Sequence, residues 1–134
     1  MLNVLVVDDA LVIRKNITRF LTEMGHKVVS DAKSGVEAVA TCKEMKDINL
    51  ITMDITMPEM NGIEATKLIK EILPDVSIIM VTSHGQEELV SQSLKAGAKN
   101  FVLKPITKEK LEQTIGTLFP EYAKEEDDEL LDEE

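Results

Sequence analysis

The chain has 134 residues, a length typical of one domain, and 43% of them are hydrophobic, enough to build a core. With no tryptophan and only 3% aromatic residues that core must be aliphatic, and a single cysteine, Cys42, excludes an internal disulfide, which fits a reducing, cytoplasmic setting. The net charge of −10 is uneven: residues 121–134 carry nine acids and one lysine (−8), residues 1–120 carry 16 acids and 14 Lys/Arg (−2), and no basic cluster suited to a nucleic-acid backbone is present.

In chain order, Val4–Val7 is the first buried-strand candidate, and it runs directly into Asp8-Asp9. This N-terminus has neither a charged leader nor a long apolar region, so it does not read as a signal peptide. Ile13, Ile17, Phe20, Leu21 and Met24 then recur at helical spacing, with Gly25 as the stop. Lys27–Asp31 is a weaker strand. Ser34 and Glu37 have capping-box spacing at the head of a second helix carrying Val36, Val39 and Ala40. Leu50–Asp54 is a strand ending on an acid. Asn61-Gly62 marks a turn, and Ala65, Ile69, Ile72 and Leu73 form a helix stopped by Pro74. Ser77–Val81 is the next strand, and Glu87–Ala96 a helix with Val90 and Leu94 inward and Gly97 as its end. Phe101–Leu103 is a short strand closed by Lys104-Pro105. Leu111, Ile115, Leu118 and Phe119 mark a last helix before Pro120. No apolar run approaches the ~20 residues of a membrane span.

The rhythm is (βα)5, and continuous rather than alternating apolar strands indicate a parallel sheet with helices on both faces. The expected division is a domain over residues 1–120 and an acidic tail over 121–134, too charged to pack. The tail reads as a solubilising segment, with binding of a basic partner or competition for the metal site as the sharper alternatives. In an open parallel sheet all strand C-termini share one edge, where ligands bind. This chain places Asp8-Asp9, Asp54, Thr82-Ser83 and Lys104 there. If the first and third strands are neighbours, three carboxylates converge and repel unless a hard cation such as Mg2+ joins them. A metal on one flank, Lys104 on the other, a Thr82 hydroxyl and a central carboxylate suit a phosphoryl group, with Asp54 as nucleophile. Each residue alone has a plainer reading: a solvated helix start, a loop lysine, an ordinary threonine.

The motifs VLVVDDA, LITMDITMPEMNG, IIMVTS and FVLKP stand in the order found in response-regulator receiver domains, and the chain resembles the single-domain chemotaxis type over residues 1–119. The resemblance implies the flavodoxin-like doubly wound α/β fold with strand order 2-1-3-4-5. It implies that Asp54 accepts a phosphoryl group from a histidine kinase in a two-component pathway. Asp9, Asp54 and the Thr56 backbone carbonyl would ligate Mg2+ (or Mn2+ as a substitute), and Asp8 would act through a water. Lys104 would meet the phosphoryl oxygens, and Thr82 would turn its hydroxyl toward them. Phe101 stands at the aromatic switch position, and Thr56 and His84 at the two positions that tune autodephosphorylation. It also implies a cis Lys104–Pro105 bond and a readout face over residues 86–119, docking a flagellar motor switch or a phosphorelay protein. Ala10 and Ser83 depart from the family's commoner serine and alanine, and Phe101 lacks the hydroxyl of a tyrosine switch.

On this reading the chain is a monomeric cytoplasmic signalling switch and not a metabolic enzyme. It carries no appended output domain and acts by docking, unless it is part of a longer protein. Two alternatives stay open: a stand-alone phosphorelay receiver unrelated to chemotaxis, and a Mg2+-dependent phosphohydrolase forming an aspartyl phosphate. Asp54–Thr56 (DIT) is similar to the nucleophile motif of the haloacid dehalogenase superfamily, which places it on the first strand and follows it with a cap. No Gly-rich turn follows the first strand, which argues against a dinucleotide site. His26 reads as a turn residue without a ligand role, His84 as an exposed loop residue, and Cys42 and the methionines as core, with some exposure open to Met57 and Met60.

Overall fold

The computed structural model describes residues 1–123. Five parallel strands, β1 (Asn3–Val7), β2 (Lys27–Ala32), β3 (Leu50–Asp54), β4 (Ser77–Thr82) and β5 (Asn100–Leu103), form one sheet in the order β2-β1-β3-β4-β5. They alternate with α1 (Leu11–Glu23), α2 (Gly35–Glu44), α3 (Gly62–Ile72), α4 (Glu87–Ala96) and α5 (Lys108–Leu118). The expected flavodoxin-like architecture and strand order are therefore observed. The acidic segment from residue 124 onward lies outside the described residues.

The strands lack alternating polarity because both faces are covered. Leu5, Val7, Ile51, Met53, Ile78 and Met80 point to the side packed by α2, α3 and α4. Val4, Val6, Leu50, Ile79 and Val102 point to the side packed by α1 and α5, with Ile17, Leu21, Leu111 and Ile115. Cys42 is buried in the first of these layers, as are Met53, Met57 and Met80. Among the described residues no helix is long and apolar enough to cross a membrane.

Two local expectations, for Leu94 and for Asn61-Gly62, need correction. Leu94 is 44% exposed, not inward. The row of α4 that meets the sheet is Leu89–Ser93, and the small buried Ser93 satisfies its hydroxyl by donating to the Leu89 carbonyl at 2.8 Å. His26 follows the Met24–Gly25 turn as expected, and it is buried there. Its Nδ1 accepts from the Leu2 backbone N–H at 3.1 Å, and its ring meets Tyr122 edge-on at 4.8 Å. That contact joins the start of the chain to the 3-10 turn Pro120–Tyr122. Asn61-Gly62 is not a free turn but the start of α3. The Asn61 side chain caps the helix by accepting from Glu64 N–H at 2.9 Å. The Ser34 hydroxyl caps α2 from Glu37 N–H at 3.1 Å, although the Glu37 carboxylate returns to Lys33 N–H and not to Ser34.

Gly62 is where α3 presses against the end of β3. Its N–H donates to the Ile55 carbonyl at 2.7 Å, and a Cβ there would lie 2.1 Å from the Asp54 carbonyl oxygen. The neighbour is backbone, so it cannot rotate away. A Gly62→Ala protein is expected to lose ~2 kcal/mol or more of unfolding free energy, the scale of an overpacked core, as measured by urea denaturation.

Candidate functional site

Strand register assembles the acids. Val7 pairs with Met53, so the residues that follow, Asp8 and Asp54, emerge side by side from adjacent strands. Asp54 in turn pairs with Val81, and Thr82 with Leu103, which sets Thr82 and then Lys104 at the same edge. The Lys104 N–H donates to the Thr82 carbonyl at 2.7 Å, and the Lys104–Pro105 bond is cis. Oxygens of Asp8, Asp9 and Asp54 all lie within 4.8 Å of one another, and this is the one cluster of potential metal ligands among the described residues. Asp8 and Asp54 are buried, while Asp9 is exposed and opens the cluster to solvent.

The buried acids have incomplete compensation. Asp8 Oδ1 accepts from the Ala10 N–H at 2.9 Å. Its Oδ2 has no hydrogen-bond partner among the described residues, and the Lys104 ammonium stands off at 3.4 Å, close enough for attraction but too long for a good hydrogen bond. Lys104 lies 3.5 Å from Asp54 Oδ1, so one cation serves two buried carboxylates. Burial, and then the neighbouring Asp8 charge, push the Asp54 carboxyl up to about 6, against a smaller opposing pull from Lys104. Burial likewise raises Asp8, opposed by the Ala10 N–H and Lys104. A buried carboxylate oxygen without a donor, beside two further acids, is the donor set of a hard divalent ion. The residues therefore fit Mg2+.

Other side chains hold this edge in place, and sequence reading missed them. Arg14 on α1 donates through Nη1 to the Asp8 carbonyl at 2.8 Å and through Nε to Asp31 at 2.8 Å, fixing the end of β1 against β2. The Thr82 hydroxyl donates to Gln86 Oε1 at 2.7 Å, and Gln86 Nε2 donates to the Thr56 hydroxyl at 2.8 Å. Thr82 and Thr56 are thus joined through a residue absent from the expected set. Helical spacing gave no signal for either link, because both depend on loops meeting across the sheet edge. Phe101 on β5 is 40% exposed and lines a cleft of about 290 Å3 with Thr82, Gln86 and Val90. His84 is exposed.

The uncompensated charge has a stability consequence in protein stripped of divalent ions. The folded Asp54 carboxyl binds its proton more tightly than the unfolded chain does. Its contribution is therefore full below the ordinary value of 3.8 and is lost as pH rises through about 6. Asp54→Asn is expected to be more stable than the parent by about 1–3 kcal/mol at pH 7, with the gain vanishing toward pH 4, as read by urea denaturation in a chelator.

Comparison with known proteins places this geometry in a family. Residues 4–116 match the family described as the response regulator receiver domain. The chemotaxis protein CheY of Thermotoga maritima is 47% identical over 102 residues, covering 76% of this chain and 84% of that protein. The CheY homolog of Campylobacter jejuni is 41% identical over 130 residues, covering 92% of this chain and all of that protein. Among solved structures, the CheX–CheY–BeF3–Mg2+ complex from Borrelia burgdorferi superposes with a TM-score of 0.84 at 37% identity, covering 88% of this chain and 89% of that one. The chain belongs to the response-regulator receiver domain family.

Proposed function

We propose that this chain is a phosphorylation-dependent response regulator of a chemotaxis pathway, with Asp54 as its phosphoacceptor. The observation that carries the reading is the register-built pocket in which Asp54, Asp8 and Asp9 crowd together beside Lys104. Its relatives named as chemotaxis CheY proteins support the pathway.

An Asp54 oxygen attacks the phosphorus of a phosphohistidine on a kinase. A P–O bond forms, the P–N bond breaks, and the imidazole leaves with the electron pair. Asp9, Asp54 and the Thr56 carbonyl would hold Mg2+, with Asp8 acting through a water. Mg2+ when bound would neutralise the carboxylates and the transferring oxygens. Lys104, already 3.5 Å from Asp54, moves its charge to the incoming phosphoryl oxygens. The Thr82 hydroxyl then donates to the phosphoryl group, and the exposed Phe101 ring turns into the cleft beside Thr82. Thr56 and the exposed His84 border the path of the hydrolytic water and set the phosphoryl lifetime. The chain is a switch that catalyses its own phosphotransfer and slow dephosphorylation.

The output face is formed by α4, β5 and α5. Leu94 and Phe101 are exposed there, and a second cleft of about 210 Å3 runs from Phe101 to Gln113 and Thr114. A partner such as a motor-switch protein would read that face in the cytoplasm. The phosphohydrolase alternative is less well supported, because the acid sits on β3 and the described chain inserts no cap between its βα units.

Incubation with a small phosphodonor and Mg2+ should add one phosphoryl mass to the intact chain and none to Asp54→Asn. Lys104→Ala should slow the addition by about 10²-fold or more, the scale for losing a charged transition-state donor. Phosphorylation of Asp54→Asn at the same rate as the parent would overturn the assignment.

A further inference from the structure

Gln86 occupies the N-cap of α4, yet its side chain makes no capping bond. Gly85, at φ +89, reverses the chain just before it. The Gln86 amide instead turns back over the sheet edge. Its Oε1 accepts from the Ser83 N–H at 2.8 Å and from the Thr82 hydroxyl at 2.7 Å, and its Nε2 donates to Thr56 Oγ1 at 2.8 Å. The orientation of this amide is settled by chemistry. The Ser83 N–H can only donate, so an oxygen must face it. The Thr82 hydroxyl must then be the donor to that oxygen, and Thr56 must be the acceptor from Nε2.

A threonine hydroxyl has one proton. While that proton goes to Gln86, it cannot go to a group on Asp54. The other acceptor in reach, the Ser83 carbonyl, is at the longer distance of 3.4 Å. We propose that Gln86 is a latch of the resting state, a positioning residue that holds the Thr82 hydroxyl away from the acceptor and ties the β4–α4 loop to the β3–α3 loop through Thr56. This rests on the phosphoacceptor reading of Asp54. Occupancy of the site by a phosphoryl-like group must break the Thr82–Gln86 bond and, with it, loosen the start of α4. The latch therefore sets the resting equilibrium between the two positions of Thr82.

The probe is beryllofluoride at saturating Mg2+, titrated into the full chain and followed by 15N spectra that also report folding. Gln86→Leu should bind it about threefold to tenfold more tightly than the parent, the range of one net hydrogen bond. In the Thr82→Val background, where no hydroxyl is contested, Gln86→Leu should have no effect. In the metal-free parent the Gln86 side-chain amide signals should stand apart from those of the exposed Gln92 and Gln113, and should move in Thr56→Val. Unchanged or weaker binding by a folded Gln86→Leu, a gain that persists without the Thr82 hydroxyl, or a Gln86 amide indistinguishable from the exposed glutamines would each overturn the latch. Failure of the parent itself to bind the probe would be a different result: it would overturn the reading of Asp54 and remove the latch's premise with it.

Discussion

Like charge held at close range is the constraint around which this molecule is arranged. Two buried carboxylates and a third at the rim lie within 4.8 Å of each other, and the described chain supplies one ammonium between them. At such distances repulsion outweighs anything a surface ion pair returns. A fold accepts this only where the surrounding backbone leaves the groups nowhere else to go. Here the parallel register of β1 on β3 fixes Asp8 and Asp54, Arg14 clamps the carbonyl of Asp8, and α3 is pressed against the carbonyl of Asp54 at Gly62. The site is thus poised to take up positive charge, which relieves the repulsion that the apolar layers on both faces otherwise hold in place.

Much of this could be read from residue order. The strands announce themselves as short apolar runs because both faces are covered, and each relevant run ends on a polar group: Asp8, Asp54, Thr82 or Lys104. The edge at which those ends meet follows from parallel topology alone. The strand order came only through family resemblance. That order matters, since the acids meet only if β1 and β3 are neighbours.

Two of the links that escaped sequence reading join polar groups far apart in the chain. Gln86 reaches Thr56 across 30 positions, and His26 reaches Leu2 across 24. No period or cap rule encodes such pairs. Leu94 failed for another reason. Spacing identifies a helical face only to within about a hundred degrees, and the buried Ser93 sits at the true centre of the α4 contact. A small residue that admits close approach leaves no hydrophobic signal.

Paramagnetic line broadening by substoichiometric Mn2+ in the 15N spectrum of the full chain tests that electrostatic arrangement most directly. The expected result is broadening centred on the backbone amides of Asp8–Ala10 and Asp54–Met57, lost in Asp9→Asn, with the remainder of the sheet edge fading by distance. Broadening spread over the acids of residues 121–134, with sharp lines at the ends of β1 and β3, would contradict it.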